Sequence, residues 1–351
     1  MSGTVLLVGV LAHPDMQQVL GLDGRSEVLP GRLAGGARAG IDKDGWPRLE
    51  GGGGTVPAVR VTPNPALERY SAVMDLKPRH GILGLGDGKT EGEAQPALAA
   101  GIARHILTAP PDQPAGDIAK RLTMIGVIAA SELRGSESPY SGSPLVDRRA
   151  PEDVQILEQH EAYGGFFSVQ VCKLRHRTHA GGMTPDLPRE ALVSGDAVVV
   201  LPWDPVRDRV LLIEQFRMAP VFRRDPQPWL LEAVAGRVDA GETVEQAALR
   251  EAREEANLPL TRLFPAIHHY PSPGVLGEYL YLYVGIADLP DGIEGVHGLE
   301  TEAEDIRGHV IGRSDLARMA MSGQVANGPL AMLSLWLELR KDTIRAALGQ
   351  V

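Results

Sequence analysis

The chain has 351 residues, 43% of them apolar, with 45 acidic against 35 basic side chains and a formal charge of −10. That length is more than one core usually serves, so two domains are expected. The acidic balance excludes a general nucleic-acid or anionic-membrane binder, because no large basic field is available. No apolar run is long enough to cross a bilayer, and the single cysteine, Cys172, excludes an intramolecular disulfide or a cysteine-rich zinc site. These features read as a soluble protein of a reducing cytoplasm. The apolar run Val5 to Leu11 lacks a basic segment before it and a cleavage-type sequence after it, which fits a buried first strand rather than a signal peptide.

In chain order, a strand-like start (Thr4 to Leu11) precedes a Gly-rich stretch that includes Gly51 to Gly54 and a valine-rich segment, Val56 to Val61. Helices are predicted over Ala94 to Leu107 and Ala115 to Leu133. Ser131 to Pro151, rich in Ser, Gly, Pro and charge, reads as a linker. The expected division is an N-terminal α+β domain at 1–135, a linker at 136–151 and a second domain at 152–351. Beyond the linker, Phe166 to Leu174 alternates as a strand, Asp196 to Leu201 is a continuous apolar strand, and Val210 to Phe216 returns from the turn Pro202 to Asp208. A helix follows over Thr243 to Asn257, then strands at Ala266 to Tyr270 and Tyr279 to Ile286, then a helix over Leu330 to Leu348. Strands and helices alternate without regular βαβ spacing, so the fold class is α/β (α+β) with a mixed sheet rather than a doubly wound one. Trp203, Trp229 and Trp336 sit beside apolar runs and are expected in the core. The pairs His176/His179 and His268/His269 lack acidic or cysteine partners at ligand spacing and read as surface or strand positions.

The informative segment is Gly236 to Leu258, GRVDAGETVEQAALREAREEANL. Thr243 with Gln246 forms a capping-box pattern at its helix start. Glu251, Glu254 and Glu255 stand at i, i+3 and i+4, so their carboxylates leave one side of the helix. Like charges at that spacing cost an isolated helix roughly 0.2–0.5 kcal/mol per pair. They also lie toward the C-terminal end, where the macrodipole disfavours negative charge. A hard divalent cation reverses the sign of that repulsion, since magnesium takes carboxylate oxygens in octahedral geometry. The alternative is a charged surface helix.

This segment resembles the Nudix box, G-x5-E-x7-R-E-U-x-E-E-x-G-U, with U an aliphatic residue. Gly236, Glu242, Arg250, Glu251, Glu254, Glu255 and Leu258 fall on it, with Ala252 as a small U residue. Asn257 replaces the last glycine of the pattern; Asn is the next best residue for a left-handed helix end. The resemblance implies a Nudix α/β/α sandwich with a mixed sheet, preceded by a smaller Gly-rich α+β domain. It implies a metal site of Glu251, Glu254, Glu255 and the Ala235 main-chain carbonyl, and an Arg250–Glu242 pair that holds the loop against the helix. The implied cofactor is Mg2+, with Mn2+ as the alternative, and the implied chemistry is metal-assisted hydrolysis of a pyrophosphate.

The likeness runs from about Asp153 to Leu339 and resembles bacterial ADP-ribose pyrophosphatases. It rests on GFFSVQVCKLRHR (Gly165 to Arg177), Gly195 to Arg217, PWLLEAVAGRVDAGE (Pro228 to Glu242), YPSPG (Tyr270 to Gly274) and GLETEAEDIRGHV (Gly298 to Val310). Pro273 occupies the position, sixteen residues past the box, where that subfamily has a proline; with Gly274 it is assigned to the substrate site. The acidic loop Glu300 to Asp305 matches a loop that supplies a catalytic glutamate. Glu302 and Glu304 are the aligned candidates for general base, and Glu304 is also implied as a metal ligand; the other reading is a solvated loop. Phe166 or Phe167 resembles an aromatic that stacks on adenine, or is core. Arg217 and Arg189 suit phosphate or ribose contact through a planar fork, or surface ion pairs. The subfamily forms domain-swapped homodimers, so a homodimer acting on a small-molecule substrate is implied. Another nucleoside diphosphate-X, such as a nucleotide sugar, and a non-catalytic ADP-ribose sensor are the competing readings.

The opening TVLLVGVLAHPDMQQVLG resembles the start of γ-glutamylcyclotransferase-like domains, whose Tyr-Gly-Thr-Leu loop is here Val8-Gly9-Val10-Leu11. The Tyr and Thr are missing and Glu68 is a poor match for the catalytic glutamate, so a structural or regulatory role is expected. Such a start joined to a Nudix domain resembles proteins associated with tellurite resistance in bacteria.

Overall fold

The structure, a computed structural model, describes residues 3–138, 143–146, 149–298 and 305–349. Its elements in chain order begin with β1 (Val5–Val8), α1 (Pro14–Val19), β2 (Gly24–Ala34), β3 (Arg48–Val61), α2 (Pro65–Val73) and β4 (Ile82–Leu83). Next come α3 (Pro96–Thr108), α4 (Ala115–Ala119), α5 (Leu122–Glu137), β5 (Val154–Gly164), β6 (Ser168–His176) and β7 (Leu187–Val193). Then follow β8 (Ala197–Asp204), β9 (Arg209–Phe216), α6 (Met218–Arg223), β10 (Trp229–Glu232), β11 (Val234–Arg237), α7 (Val244–Ala256) and β12 (Arg262–Pro265). The chain ends with β13 (Leu276–Gly277), β14 (Leu280–Ile286), β15 (Val296–His297), β16 (Ile306–Gly312), α8 (Arg313–Met321) and α9 (Gly328–Ala347).

Two compact units result. The first holds Met1–Gly195, Asp239–Gly241 and Gly274–Gly277; the second holds Asp196–Val238, Glu242–Pro273 and Glu278–Val351. The first unit carries a mixed sheet of order β2-β3-β1-β4, with β1 antiparallel to β3 and parallel to β4. Leu7, Leu11, Leu67, Tyr70, Leu98, Ile102 and Ile106 form its fully buried centre. The glycines 51–54 lie exposed within β3. A second sheet, order β13-β7-β6-β5, leaves β5 at an edge. The helix expected over Ala115 to Leu133 is two helices, because the backbone at Arg121 (φ −101°, ψ 3°) leaves the α-helical path. Glu137, the last residue of α5, falls inside the stretch expected as linker.

The second unit is a sheet of order β12-β14-β8-β9-β16-β15, with β10 paired to β9 and β11 to β8. It is mixed: β14 runs parallel to β8, and the remaining pairs are antiparallel. Strand alternation explains the helical layer on each side. Val198 and Val200 of β8 pack with Ala247 and Ala248 of α7. Ala197, Val199 and Leu201 pack with Leu330, Leu333 and Leu337 of α9. On β9, Leu211 and Ile213 join Ala252 and Ala256 of α7, while Val210 and Leu212 join the α9 side. A continuous apolar strand is what a two-sided burial requires.

Two expectations are corrected here. The strand expected over Ala266 to Tyr270 lies earlier, at β12, which pairs Arg262–Pro265 with β14. Past Pro265 the ladder thins: the Leu282 amide donates to His268 Nδ1 (3.1 Å), and an isolated bridge at His269 is what continues. Trp203 is fully buried, whereas Trp229 is 47% exposed and meets Phe216 edge to face at 5.5 Å. Among the described residues no helix is long and apolar enough to cross a membrane.

The β8–β9 turn is held by Asp204, which is buried and accepts the amides of Val206 (2.9 Å), Arg207 (3.0 Å) and Leu289 (3.2 Å) and Nη1 of Arg207 (2.7 Å). Burial pushes this carboxyl up, but the hydrogen bonds outweigh it and hold it below the usual carboxylate range. A depressed folded value means that its contribution is complete above the unfolded pKa, about 4, and is lost as pH falls through the folded one. Asp204→Asn should therefore lower urea stability at pH 7. The gap between variant and wild type should close as the titration is repeated at steps from pH 5 to pH 2; a gap that stays constant would remove Asp204 from the acid limb.

Candidate active site

Helix α7 begins as its sequence predicts. Thr243 Oγ1 accepts the Gln246 amide (3.2 Å) and Gln246 Oε1 accepts the Thr243 amide (2.8 Å). It ends at Asn257, whose φ of 49° and ψ of 37° are left-handed. Asn tolerates that conformation, and the helix stops where the family's glycine stops it. Between these caps the buried alanines 247, 248, 252 and 256 present a short-chained face to the sheet. Small side chains let the helix axis approach β11, and β11 is fixed beside β8 through Val234↔Val200 and Gly236↔Val198.

That approach places the carboxylates. A Cβ added to Gly236 would lie 1.9 Å from Glu251 Oε1 and 2.1 Å from its Cδ, so the Glu251 carboxylate occupies the space a side chain at 236 would need. Glu255, 3% exposed, accepts the Ala235 amide on Oε2 (2.9 Å). Arg250 binds the rest. Its Nη2 donates to Glu242 Oε1 (2.7 Å) and to the Arg237 carbonyl (2.9 Å), and its Nη1 to Glu251 Oε1 (2.7 Å) and Glu254 Oε2 (2.9 Å). Burial works against the charged guanidinium, but its carboxylate partners dominate and raise its pKa above the ordinary arginine value.

The donor set fits a hard divalent cation in chemistry: three carboxylates on one helix face, two of them buried, beside strand backbone. Among the described residues, however, no three His, Cys, Asp or Glu side chains converge on a common point that could hold a metal ion. Arg250 supplies the positive charge between Glu251 and Glu254, while Glu255 turns to the Ala235 amide. Ala235, expected to offer its carbonyl, meets the box through its N–H.

The structure thus brings together Arg250, Glu251, Glu254, Glu255, Glu242 and Ala235. The other expected site residues are placed elsewhere. Phe166 is 67% exposed, and Phe167 meets it edge to face at 5.0 Å in the turn between β5 and β6. Arg189 is exposed on β7. Arg217 pairs with buried Glu232 through Nη2 (2.6 Å) and Nε (3.1 Å). Pro273 and Gly274 are exposed ahead of β13. Glu302 and Glu304 lie outside the described residues. Two pairings at the box escaped the sequence reading. Arg237, whose carbonyl Arg250 holds, is ion-paired to Glu278, and Tyr283 donates to Glu245 Oε1 (3.1 Å) on the first turn of α7. Partners 41 and 38 positions apart leave no spacing signal.

The family model described as NUDIX domain matches residues 193–321. An ADP-ribose pyrophosphatase of Escherichia coli is 40% identical over 193 residues, covering 55% of this chain and 91% of that protein. The chain belongs to the Nudix family. A Haemophilus influenzae ADP-ribose pyrophosphatase is 37% identical over 191 residues, 54% of this chain and 87% of its own length. A GDP-mannose pyrophosphatase of Enterobacter is 28% identical over 151 residues, 43% of this chain and 78% of its own. Asp196 to Val351 holds only 156 residues, so the 193-residue Nudix match begins at or before Gln159. It therefore takes in β6 and β7 as well as the sheet that carries the box.

A Cβ at Gly236 of this Nudix site would meet the end of the Glu251 side chain, which Arg250 holds in place. Gly236→Ala should cost about 1–3 kcal/mol of urea stability, as overpacking does. Truncating the clashing carboxylate with Glu251→Ala should recover most of that loss. A double-mutant cycle with no coupling between 236 and 251 would contradict the close approach.

Proposed function

We propose that this chain hydrolyses the pyrophosphate of ADP-ribose to AMP and ribose 5-phosphate with a divalent cation, magnesium or alternatively manganese. The observation that carries the reading is 40% identity across nine tenths of an ADP-ribose pyrophosphatase, with the full carboxylate set of the box on one face of α7. The chain is a Nudix pyrophosphohydrolase. Water adds to one phosphorus, the bridging P–O bond breaks, and the proton that a general base takes from the water is passed on to the leaving phosphate.

Glu251, Glu254 and Glu255 would hold the cation, whose chemistry there would be to neutralise pyrophosphate oxygens and activate water. Arg250 and Glu242 lock the loop to the helix. Glu302 or Glu304 would take the proton of the attacking water, and Glu304 would also serve as a metal ligand. Phe166 or Phe167 stacks on the adenine, Arg189 and Arg217 contact phosphate or ribose, and Pro273 with Gly274 bounds the substrate. Arg217 must exchange part of its pairing with Glu232 to do so. We place the enzyme in the cytoplasm as a homodimer. The edge position of β5, with Val154, Ile156 and Leu157 exposed, supports a partner strand or face. The 152–351 segment is the catalytic domain in this reading. The first module is structural rather than catalytic, and Glu68 stands exposed on α2. The GDP-mannose relative favours a nucleotide sugar as the second reading.

The test is AMP release from ADP-ribose with magnesium, beside Glu255→Gln. The variant should lose at least roughly 100-fold in kcat, the scale of a lost transition-state electrostatic contact. Magnesium alone should raise the Tm of the wild type and leave that of the variant unmoved. Full activity in Glu255→Gln would refute the site; an inert wild type that cleaves GDP-mannose would select the second reading.

A further inference from the structure

Arg121 stands at the N-cap of α5, and its side chain reaches the β5–β6 hairpin of the same unit. Nη2 and Nη1 donate to the two oxygens of Glu161 (2.7 and 3.0 Å), and Nε donates to the Gly165 carbonyl (2.9 Å). Ser168 Oγ donates to Glu161 Oε1 (2.7 Å), and Gln170 Nε2 donates to Ser168 Oγ (2.7 Å). The Arg121 and Glu161 side chains are only 11% and 10% exposed. The fit is tight: a Cβ on Gly164 would lie 2.0 Å from Arg121 Nη1 and 2.4 Å from Glu161 Oε2.

The clamp lies where the sheet is least able to define itself. The β5–β6 register shifts between Glu161 and Tyr163, and a bulge of this kind breaks the ladder and bends the strand. Beyond the bulge the turn is closed by the Gly165 amide on the Phe167 carbonyl (2.9 Å), and Phe166 projects into solvent. A buried ion pair adds little stability over an apolar pair of the same volume, because both charges lose water. A planar fork that grips a carboxylate and a carbonyl together does define orientation. Arg121 is itself anchored next to Leu122 and Ile125, members of the first unit's core.

We infer that Arg121 is a positioning residue for the hydrolase: through Glu161 and the Gly165 carbonyl it holds the hairpin so that Phe166 offers its ring to the aromatic base of the substrate. The inference rests on the reading that this hairpin stacks on adenine. It gives the first module a role in substrate affinity without giving it chemistry.

The experiment measures KM and kcat for ADP-ribose in the full chain, with product inhibition by AMP, which carries the base, and by ribose 5-phosphate, which does not. Arg121→Ala should raise KM and the AMP inhibition constant roughly tenfold, the scale of a lost base–aromatic stack. Its kcat should stay within twofold, and inhibition by ribose 5-phosphate should not change. Arg121→Lys keeps the charge without the fork and should fall between. If Arg121→Ala fails to fold, Arg121→Lys and Glu161→Gln carry the same comparison. In a Phe166→Ala background the Arg121 substitution should add less than a further twofold. An unchanged KM, equal loss of both product affinities, or effects that multiply in the double variant would overturn the inference. If Phe166→Ala raises KM and Arg121→Ala does not, only the role of Arg121 falls. If Phe166→Ala leaves KM unaltered in an active enzyme, the stacking reading falls and this inference with it.

Discussion

Four carboxylates and one guanidinium share a small volume where β11 gives way to α7, and the local architecture follows from that imbalance. Glu242, Glu251 and Glu254 all reach Arg250, and Glu255 reaches a strand amide. Without a cation among them, carboxylates at i, i+3 and i+4 near a helix C-terminus would work against the helix they sit on. Arg250 offsets this and also binds the Arg237 carbonyl, so the charge balance and the loop geometry are secured by the same side chain. The glycine at 236 leaves room for the carboxylate that Arg250 holds, which a Cβ there would displace.

The sheet sets where that helix can lie. β8 is buried along its whole length and sends alternate side chains to opposite layers, so α7 and α9 are fixed on opposite faces by one strand. The alanine stripe of α7 makes the approach close, and bulkier residues there would lift the carboxylates off β11. Three residues of the same connection, Asp239–Gly241, belong instead to the first unit. Ala240 is part of that unit's core, and its carbonyl accepts Nη1 of Arg38 (3.0 Å).

What could be read from the sequence was local. The capping box of Thr243 and Gln246, the left-handed stop at Asn257 and the β8–β9 hairpin are decided within a few residues, and each is where its pattern places it. The carboxylate face of α7 follows from helical spacing alone. Features set by distant partners were not legible. The pairings Arg237–Glu278 and Arg121–Glu161 join elements far apart in the chain, Arg217–Glu232 spans 15 positions, and no periodicity encodes any of them. The break between α4 and α5, where the backbone at Arg121 leaves the helical path, has no glycine or proline to mark it in the sequence. Trp229 was misread for a related reason: an apolar run signals burial only if another layer covers it, and here Phe216 offers only an edge contact.

The formal charge of −10 adds a constraint of its own. A pyrophosphate substrate is an anion approaching an acidic protein, so affinity must come from cations at the site rather than from the long-range field. In the structure the guanidinium nearest the box carboxylates is fully engaged by them, and Arg217 is engaged by Glu232. A divalent ion changes both sides of that balance. Held by the carboxylates that Arg250 neutralises, as proposed above, it would present positive charge toward the substrate, which the internally paired arginine does not. Metal binding and substrate binding are then linked by electrostatics. In that reading the carboxylate cluster that burdens the isolated helix would be offset by the ion, and the ion's charge would in turn favour the pyrophosphate.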